Sequence, residues 1–308
     1  MTFALHRLIR ASLTLLIVVA LAFFILRLSA DPAVVILGPD APPAAVAAFR
    51  EAWGLDRALP IQFLEYLRAI LHGDFGRSML NGAPVLPLVL ERVPTTLEIM
   101  LPALFCAIAV GVPAGVSAAL HRNTLADRCI MAASVAGFTM PSFVLGLLLV
   151  LVFAVDLGWL PSGGDDHWQS AILPALTLSA GSAAVLARFT RSAMVAVLGQ
   201  PYILAASAKG LLWSQVVRRH ALPNAAIPVV TMVGFMVGGL LAGAVVTESV
   251  FSWPGLGRLM VTSVASRDLA VVQCILLLVA STMVASNLTV DLLYGVLDPR
   301  LRRGDAPH

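Results

Sequence analysis

Six long apolar stretches constrain this chain more than any other feature of its sequence. Their lengths lie in or near the range of about 17–25 residues that a transmembrane α-helix needs. They cover approximately residues 8–30, 99–120, 129–155, 171–187, 221–247 and 269–290. Their only charges are Arg10 and Arg27, near the two ends of the first stretch. Lipid offers the backbone no hydrogen-bond partners, and the sequence lacks the alternating pattern of a membrane barrel. We therefore predict an all-α, polytopic bundle of six transmembrane helices.

The composition agrees with a membrane protein rather than a soluble one. Apolar residues make up 59% of the 308 residues, charged residues only 12%, and the mean hydropathy is +0.92. A charged fraction of about 25% is usual in soluble domains. The net charge of +3 does not indicate nucleic-acid binding, because the basic residues flank apolar stretches. The three cysteines (Cys106, Cys129 and Cys274) have no metal-ligand spacing, so we expect them to be packing residues.

The distribution of Lys and Arg predicts the orientation. With a cytoplasmic N-terminus, the short outer loops hold only Arg258 and Arg267, together with an acidic trio of Asp156, Asp165 and Asp166. Twelve basic residues then lie inside: Arg7, Arg10, Arg122, Arg128, Arg188, Arg191, Lys209, Arg218, Arg219, Arg300, Arg302 and Arg303. The positive-inside rule therefore favours a cytoplasmic position for both termini.

The same pattern divides the chain into four parts. We predict an N-terminal transmembrane helix over 1–30, a periplasmic lid over 31–94, a five-helix core over 95–293 and a cytoplasmic tail over 294–308. Within the lid, one helix is expected from Ala44 to Trp53 and another behind Pro60. A cleavable signal peptide remains an alternative for the first stretch, because Leu28-Ser29-Ala30 could form a cleavage site.

Several kinds of chemistry have no support in the sequence. The single lysine, Lys209, lies between Ala208 and Gly210 rather than in a Gly-Lys-Ser/Thr loop, so this chain should not bind ATP. The charges of the spans lie near their ends, at Arg27, Glu98, Asp156, Glu248 and Asp291. Such positions require only snorkelling or interfacial pairing and argue against proton coupling. We predict no catalytic residue, metal site or bound cofactor; a self-sufficient channel or secondary carrier is the rival hypothesis.

The longest predicted inner connection, 188–225, contains an expected helix–turn–helix. Small residues favour a short helix ending near Ala208, and Gly210 suits the left-handed residue that stops it. A second helix should carry Leu211, Leu212, Val216 and Val217, and Pro223 should mark the start of span five. Its apolar face could dock into a groove on a partner protein or rest on the chain's own bundle.

This connection resembles the EAA loop of ABC-importer permeases. The resemblance is carried by Ala205-Ala206, Gly210 and Leu222-Pro223 in their order and spacing. The glutamate usual in that family falls on Leu204 and the usual isoleucine on His220, so this chain departs from the pattern at two positions. The resemblance implies that the loop seats a coupling helix in a cleft of a separate ATPase.

Further segments are similar to the dipeptide, oligopeptide and nickel branch of that family. In chain order they are Gly73-Asp74-Phe75-Gly76-Arg77-Ser78, Arg92-Val93-Pro94-Thr95-Thr96-Leu97-Glu98, Met140-Pro141-Ser142-Phe143, Phe251-Ser252-Trp253-Pro254-Gly255-Leu256-Gly257-Arg258-Leu259 and Asp298-Pro299-Arg300. The resemblance covers nearly the whole chain. It implies the transmembrane domain of a type I ABC importer, which imports peptides or, alternatively, nickel or another small solute.

What the resemblance implies for partners and sites follows from that family. A second homologous permease subunit would complete a heterodimeric pathway. Two ATPase subunits would carry ATP and magnesium, and an extracytoplasmic solute-binding protein would deliver the substrate. The expected ATPase-coupling residues are Ala205, Ala206, Lys209, Gly210, Arg218, Arg219, Leu222 and Pro223. Binding-protein docking or the outer gate is expected at Asp74, Arg77, Trp253 and Gly255.

Overall fold

A computed structural model describes the backbone of residues 2–29 and 31–297 and the side chains of 9–28 and 31–289. Within these residues the chain is helical and has no β-strand beyond one isolated bridge between Arg77 and Pro84. The α-helices are α1 (Thr2–Ser29), α2 (Pro32–Leu37), α3 (Pro43–Ala52), α4 (Leu59–Leu71), α5 (Val85–Leu90), α6 (Val93–Leu120), α7 (Leu125–Thr139), α8 (Ser142–Leu149), α9 (Ile172–Leu198), α10 (Pro201–Ala208), α11 (Trp213–Val216), α12 (Leu222–Val250), α13 (Leu256–Ala265) and α14 (Leu269–Leu297).

The all-α membrane fold is confirmed. Five helical segments of the described chain are long and apolar enough to cross a membrane: Ile9–Leu28, Val85–Leu120, Trp168–Leu198, Trp213–Val250 and Leu269–Thr289. A sixth is reached if α7 and α8 count as one bent span. The predicted lid helices are also present, as α3 and α4. The predicted Asp298-Pro299-Arg300 segment lies outside the described residues.

The third predicted span is not one straight helix. It bends by 100° between Leu125–Thr139 and Ser142–Asp156. Met140 has extended backbone angles (φ −70°, ψ 122°), because the ring of Pro141 disfavours helical geometry in the residue before it. Pro141 then caps α8, which continues as a π-helical turn over Val150–Asp156. The proline therefore divides the apolar stretch into two helices with a break between them.

The chain forms two compact units. The first comprises Met1–Thr96 and Pro254–Val284. In its core the short helix α5 packs through Val85 and Val89 against Leu256, Val271 and Ile275. A second, aromatic group joins α1 to α4 in the lid, and consists of Phe23, Phe24, Phe63 and Tyr66. The lid is thus packed on apolar side chains and is not a loose loop.

The second unit comprises Leu97–Trp253 and Ala285–His308. Helix α9 lies at its centre and packs against α7, α8 and α12. Two glycines of α6 allow a close approach to α9: a Cβ at Gly111 would lie 2.7 Å from the Ala183 carbonyl oxygen, and one at Gly115 would lie 2.4 Å from the Ala187 carbonyl oxygen. The Gly111–Gly115 spacing therefore marks a real helix–helix contact.

Glu248 departs from the expectation for charges at span ends. Its side chain is fully buried in α12 instead of being exposed at the membrane surface. Position along a span therefore did not predict the burial of this carboxylate.

Candidate coupling hairpin and pathway cavity

The predicted helix–turn–helix begins as expected. Pro201 opens α10 in its first turn, where the missing N–H leaves no helical hydrogen bond unmade. Lys209 closes the helix by donating its backbone N–H to the Ala205 carbonyl. Gly210 follows with φ +82°, the left-handed conformation that glycine adopts without steric strain. The helix stop predicted at Gly210 is therefore confirmed.

The second half of the hairpin differs from the prediction. No separate helix ends before Pro223; instead Trp213–Val250 is one helical segment that includes α11, a π-helical turn over Val217–Ala221, and α12. The N–H of Leu222 bonds to the Val217 carbonyl five residues back, and Pro223 next to it has no N–H to donate. A wide turn thus accommodates the proline without breaking the helix. We call α10, the turn and α11 the coupling hairpin.

One face of the coupling hairpin is packed against other helices of the second unit. Ile203 and Ala206 of α10 and Val216 of α11 are buried together with Met194 of α9 and Ala225 of α12. Leu222 is partly buried against the same cluster. Both arms of the hairpin thus share one packed cluster with α9 and α12.

The opposite face of the coupling hairpin is apolar and exposed. Leu204 is 69% exposed, Leu212 68% and Trp213 55%, and Tyr202 of α10 is also exposed. The predicted docking face included Val216 and Val217, but both are buried in this unit. Reasoning from the sequence missed Tyr202 and Trp213; two aromatic residues in a loop rich in small residues were the available signal.

The predicted coupling residues fall into three groups. Ala206 is on the buried face of α10, and Leu222 is half-buried against the same apolar cluster. Gly210 forms the exposed turn. The remaining members of the predicted set are exposed on the hairpin or at the base of α12: Ala205, Lys209, Arg218, Arg219 and Pro223.

A partly buried ion pair joins α7 to α9 in the second unit, with Asp127 buried and Arg191 partly exposed. Arg191 donates from Nε to Oδ1 of Asp127 (2.6 Å) and from Nη2 to Oδ2 (2.7 Å). The same carboxylate accepts the backbone N–H of Asn123 at 2.9 Å. From the sequence, Arg191 was only one of the basic residues assigned to the inner side; the available signal for a pair was an acidic and a basic residue just outside the inner ends of two neighbouring predicted spans. The pair fixes the end of α9 that leads into the hairpin.

A cavity of about 400 Å³ lies at the break between α7 and α8. Its apolar walls come from α7, α8, α9 and α12, and its polar side chains are Ser142, Thr177 and Ser182. Helices that break near the middle of a membrane span often border the substrate pathway of a transporter, because the interrupted backbone must face a cavity or protein rather than lipid. A second, apolar groove of about 300 Å³ lies between α6, α9 and α12.

Three of the four residues predicted for the outer face lie in the first unit, in two different settings. Asp74 accepts the N–H of Gly76 at 2.8 Å, and Arg77 donates to the Gly82 carbonyl at 3.0 Å, so both side chains stabilise an exposed loop. Gly255 is buried and caps α13. Arg92 donates to the Pro254 carbonyl, and Leu256 donates its N–H to the buried Thr96 hydroxyl (2.8 Å). Trp253, which belongs to the second unit, is buried.

Comparison with known proteins identifies the family. Residues 111–303 match the family described as the inner membrane component of binding-protein-dependent transport systems. Residues 1–100 match its N-terminal membrane-component family. The chain belongs to this family.

The relatives of this permease include glutathione permeases. It is 46% identical over 303 residues to the glutathione transport system permease protein GsiC of Salmonella typhimurium, with 98% of this chain and 99% of that protein covered. It is 45% identical over the same length to GsiC of Escherichia coli K12. Among solved structures, the inward-facing MetNI methionine ABC transporter matches with a TM-score of 0.60 and 22% identity, covering 68% of this chain and 96% of that chain.

These findings establish the class of the protein. The permease is a membrane subunit of an ABC importer in a bacterial inner membrane, distinct from the ATPase subunit, and such importers work with ATPase and substrate-binding partners. The similarity to the methionine transporter supports the fold only. The expected resemblance to importer permeases is confirmed; the relatives named here are glutathione permeases, which is a narrower description than the dipeptide and oligopeptide class expected from the sequence.

Proposed function

We propose that the permease is driven by a separate ATPase whose cleft receives the exposed face of the coupling hairpin. The single observation that supports this proposal most strongly is the exposure of Leu212 and Trp213. These two apolar side chains lie at the start of α11, on a hairpin that is also packed against α9 and α12. An apolar helical surface of this kind is what a hydrophobic groove on a partner recognises.

The connection from the hairpin to the pathway supports a mechanical role. The segment Trp213–Val250 runs without interruption from the exposed face to the part of α12 that borders the cavity at Met236, Gly239 and Leu240. When the ATPase pair closes on ATP, the hairpins move with it, and α12 carries this movement to the cavity wall. Rocking of packed helices between inward-open and outward-open arrangements would follow.

A charge on the exposed face tests the docking. We expect Leu212→Glu to lower ATP-dependent uptake and ATPase co-purification at least about tenfold, because an unpaired carboxylate would be desolvated in an apolar cleft. Leu125→Glu is the matched control: Leu125 is 76% exposed at the start of α7, outside the hairpin, and this change should leave both readouts unaltered. Equal effects of the two substitutions, or wild-type uptake by Leu212→Glu in a normally inserted protein, would contradict the proposal.

The proposed substrate is a small peptide, and glutathione is the first compound to test. This assignment rests on the GsiC relatives, which are glutathione permeases, and on full-length coverage at 45–46% identity. The cavity at the α7–α8 break supplies three hydroxyl-bearing side chains within apolar walls, a lining that suits a solute with amide and carboxylate groups. We propose that this cavity is this subunit's part of the pathway and that a second homologous permease supplies the remainder.

Transport by the reconstituted importer tests the substrate. The permease, its partner permease, the two ATPase subunits and the binding protein are placed in liposomes, and uptake of labelled glutathione, a labelled dipeptide and nickel is compared. We expect ATP-dependent uptake of glutathione or the dipeptide. Uptake of nickel alone would overturn the peptide assignment, and uptake by this chain without ATPase subunits would identify a self-sufficient carrier.

The proposed outer site is the loop that carries Asp74 and Arg77. Both side chains are exposed and hold the loop in shape, whereas Trp253 and Gly255 are buried and would act by positioning the chain that leads into α13. We expect Arg77→Ala to reduce the binding-protein-stimulated ATPase rate while the unstimulated rate is kept. A titration of the binding protein on the reconstituted complex measures the difference; an unchanged stimulated rate would remove the loop from the docking surface.

A further inference from the structure

The apolar groove between α6, α9 and α12 has no role in the coupling proposal. Ile108, Val112 and Val116 of α6 form one wall, and Leu222, Ala226 and Val230 of α12 form the opposite wall. The spacing within each set is four residues, so each wall is a continuous stripe along one helix face. A groove of about 300 Å³ along three membrane helices has the shape and chemistry for a hydrocarbon chain.

One polar atom in this groove lacks a partner. Thr190 of α9 lines the groove, its side chain is only 2% exposed, and its hydroxyl makes no hydrogen bond with any residue that the structure describes. Other hydroxyls within the spans donate to the carbonyl four residues back, as Thr177 does to Leu173 (2.8 Å) and Thr231 does to Ile227 (3.1 Å). A buried hydroxyl without a partner is unfavourable, so Thr190 would gain from an acceptor that enters the groove from outside this chain.

A cation lies beyond one end of the groove. Arg218 is exposed and lies in the π-helical turn, four residues before Leu222, so it is about one turn beyond the end of the groove. This is the cytoplasmic end according to the Lys and Arg distribution. The groove therefore combines apolar walls, a hydroxyl donor and, at the level of the inner-leaflet headgroups, a guanidinium that can bind phosphate bidentately.

We propose that this groove binds an anionic phospholipid of the inner leaflet. One acyl chain lies along the α6 and α12 stripes, the Thr190 hydroxyl donates to an ester carbonyl, and Arg218 binds the phosphate. Met194 and Leu222 line the groove and also belong to the cluster beneath the coupling hairpin. The bound lipid therefore stabilises the junction between the hairpin and α12, and it makes coupling depend on anionic lipid. The lipid site itself depends neither on the transported substrate nor on ATPase docking.

Lipid retention and lipid-dependent stability test the site directly. The purified importer complex is analysed by native mass spectrometry for bound phosphatidylglycerol and phosphatidylcholine. Its thermal stability is also measured in nanodiscs of phosphatidylcholine alone and of phosphatidylcholine with phosphatidylglycerol at 3:1. Val230→Trp fills the groove, and Val110→Trp is the matched control, since Val110 is exposed on α6 and does not line the groove. Thr190→Val and Arg218→Gln remove the two polar contacts.

We expect the wild-type complex and Val110→Trp to retain phosphatidylglycerol and to be stabilised by it. Val230→Trp should lower retention about tenfold or more, and Arg218→Gln should lower the preference for phosphatidylglycerol over phosphatidylcholine about tenfold, as loss of a charge-assisted hydrogen bond implies. Thr190→Val should weaken the binding of both lipids. These measurements use lipid binding and not transport, so a failure of the coupling proposal would leave them unaffected.

Three results would overturn the proposal. Undiminished phosphatidylglycerol retention in Val230→Trp would place the lipid elsewhere. Equal losses in Val230→Trp and Val110→Trp would mean that the effect is not specific to the groove. Loss of the second permease subunit from Val230→Trp, with lipid binding unchanged in the remaining chain, would identify the groove as the interface between the two permeases.

Discussion

The contact between α6 and α9 gives a quantitative prediction for Gly115→Ala. The added Cβ would lie 2.4 Å from the Ala187 carbonyl oxygen, 2.6 Å from Thr190 Cβ and 3.0 Å from the Arg191 backbone nitrogen. Since ordinary contacts begin at 3.4 Å, the helices must separate by 3.4 − 2.4 = 1.0 Å at this point. Two of the three opposing atoms belong to backbone of α9, so a change of side-chain rotamer cannot relieve the clash.

The expected magnitude is a balance of two effects. Overpacking costs about 1–3 kcal/mol, and a rigid backbone contact places this substitution near the upper end, about 3 kcal/mol. Replacing glycine by alanine inside a helix regains about 1 kcal/mol. The net loss is therefore about 2 kcal/mol, which corresponds to a fall in Tm of roughly 4–8 °C for a folding unit of this size.

Thermal unfolding of the detergent-purified complex, followed by intrinsic tryptophan fluorescence, measures this difference. The matched control is Gly239→Ala in α12, where nothing lies within 4 Å of the added Cβ. This control gains only the helical preference, so its Tm should equal or slightly exceed that of the wild type. If Gly115→Ala and Gly239→Ala had the same Tm, the close approach of α6 to α9 would be refuted.

Three further predictions concern the hairpin and the ion pair. At Gly210, where φ is +82°, uptake should fall in the order Gly, Asn, Ala, Pro, because asparagine tolerates the left-handed region, alanine is strained there and proline cannot adopt it; retention of uptake by Gly210→Pro would contradict the turn. Leu204→Glu should keep uptake near the wild-type level, unlike Leu212→Glu, because importer permeases usually carry glutamate at the position that Leu204 occupies. A loss as large as that of Leu212→Glu would contradict the correspondence of Leu204 to that position of the EAA loop. Arg191→Met and Asp127→Leu should each lower the Tm. The double substitution should recover most of the loss, because neither charge is then left without its partner. A Tm loss in the double variant equal to the sum of the two single losses would argue against a specific pair.

Proline had different effects along the chain, and the sequence did not distinguish them. Pro102 and Pro113 lie inside α6 and Pro228 lies inside α12 without ending either helix, whereas Pro141 separates α7 from α8 with a bend of 100°. A proline inside a continuous membrane helix leaves one backbone carbonyl without its N–H donor, so neighbouring groups must satisfy that carbonyl. Whether such neighbours exist is a property of the packed bundle, so the break of the third span could not be predicted from the apolar run alone.

The sequence by itself determined the elements of the fold whose causes are local. Long apolar runs must form helices in lipid, a glycine after a run of small residues ends α10 at Gly210, and the proline-headed segments of the lid form α3 and α4. The family resemblance also followed from the order and spacing of short segments. Each of these depends on covalent geometry or on the solvation of the backbone by lipid, which require no knowledge of distant residues.

Tertiary structure alone decided which side of each element is available for function. At the end of the coupling hairpin, Val216 and the next residue, Val217, are buried while Leu212 and Trp213 are exposed, although all four are apolar and lie within six residues. The pairing of Asp127 with Arg191 and the full burial of Glu248 were likewise set by neighbours far away in the chain. The physical reason is that periodicity identifies an apolar face, but only the packing of other helices against it determines whether that face is already covered.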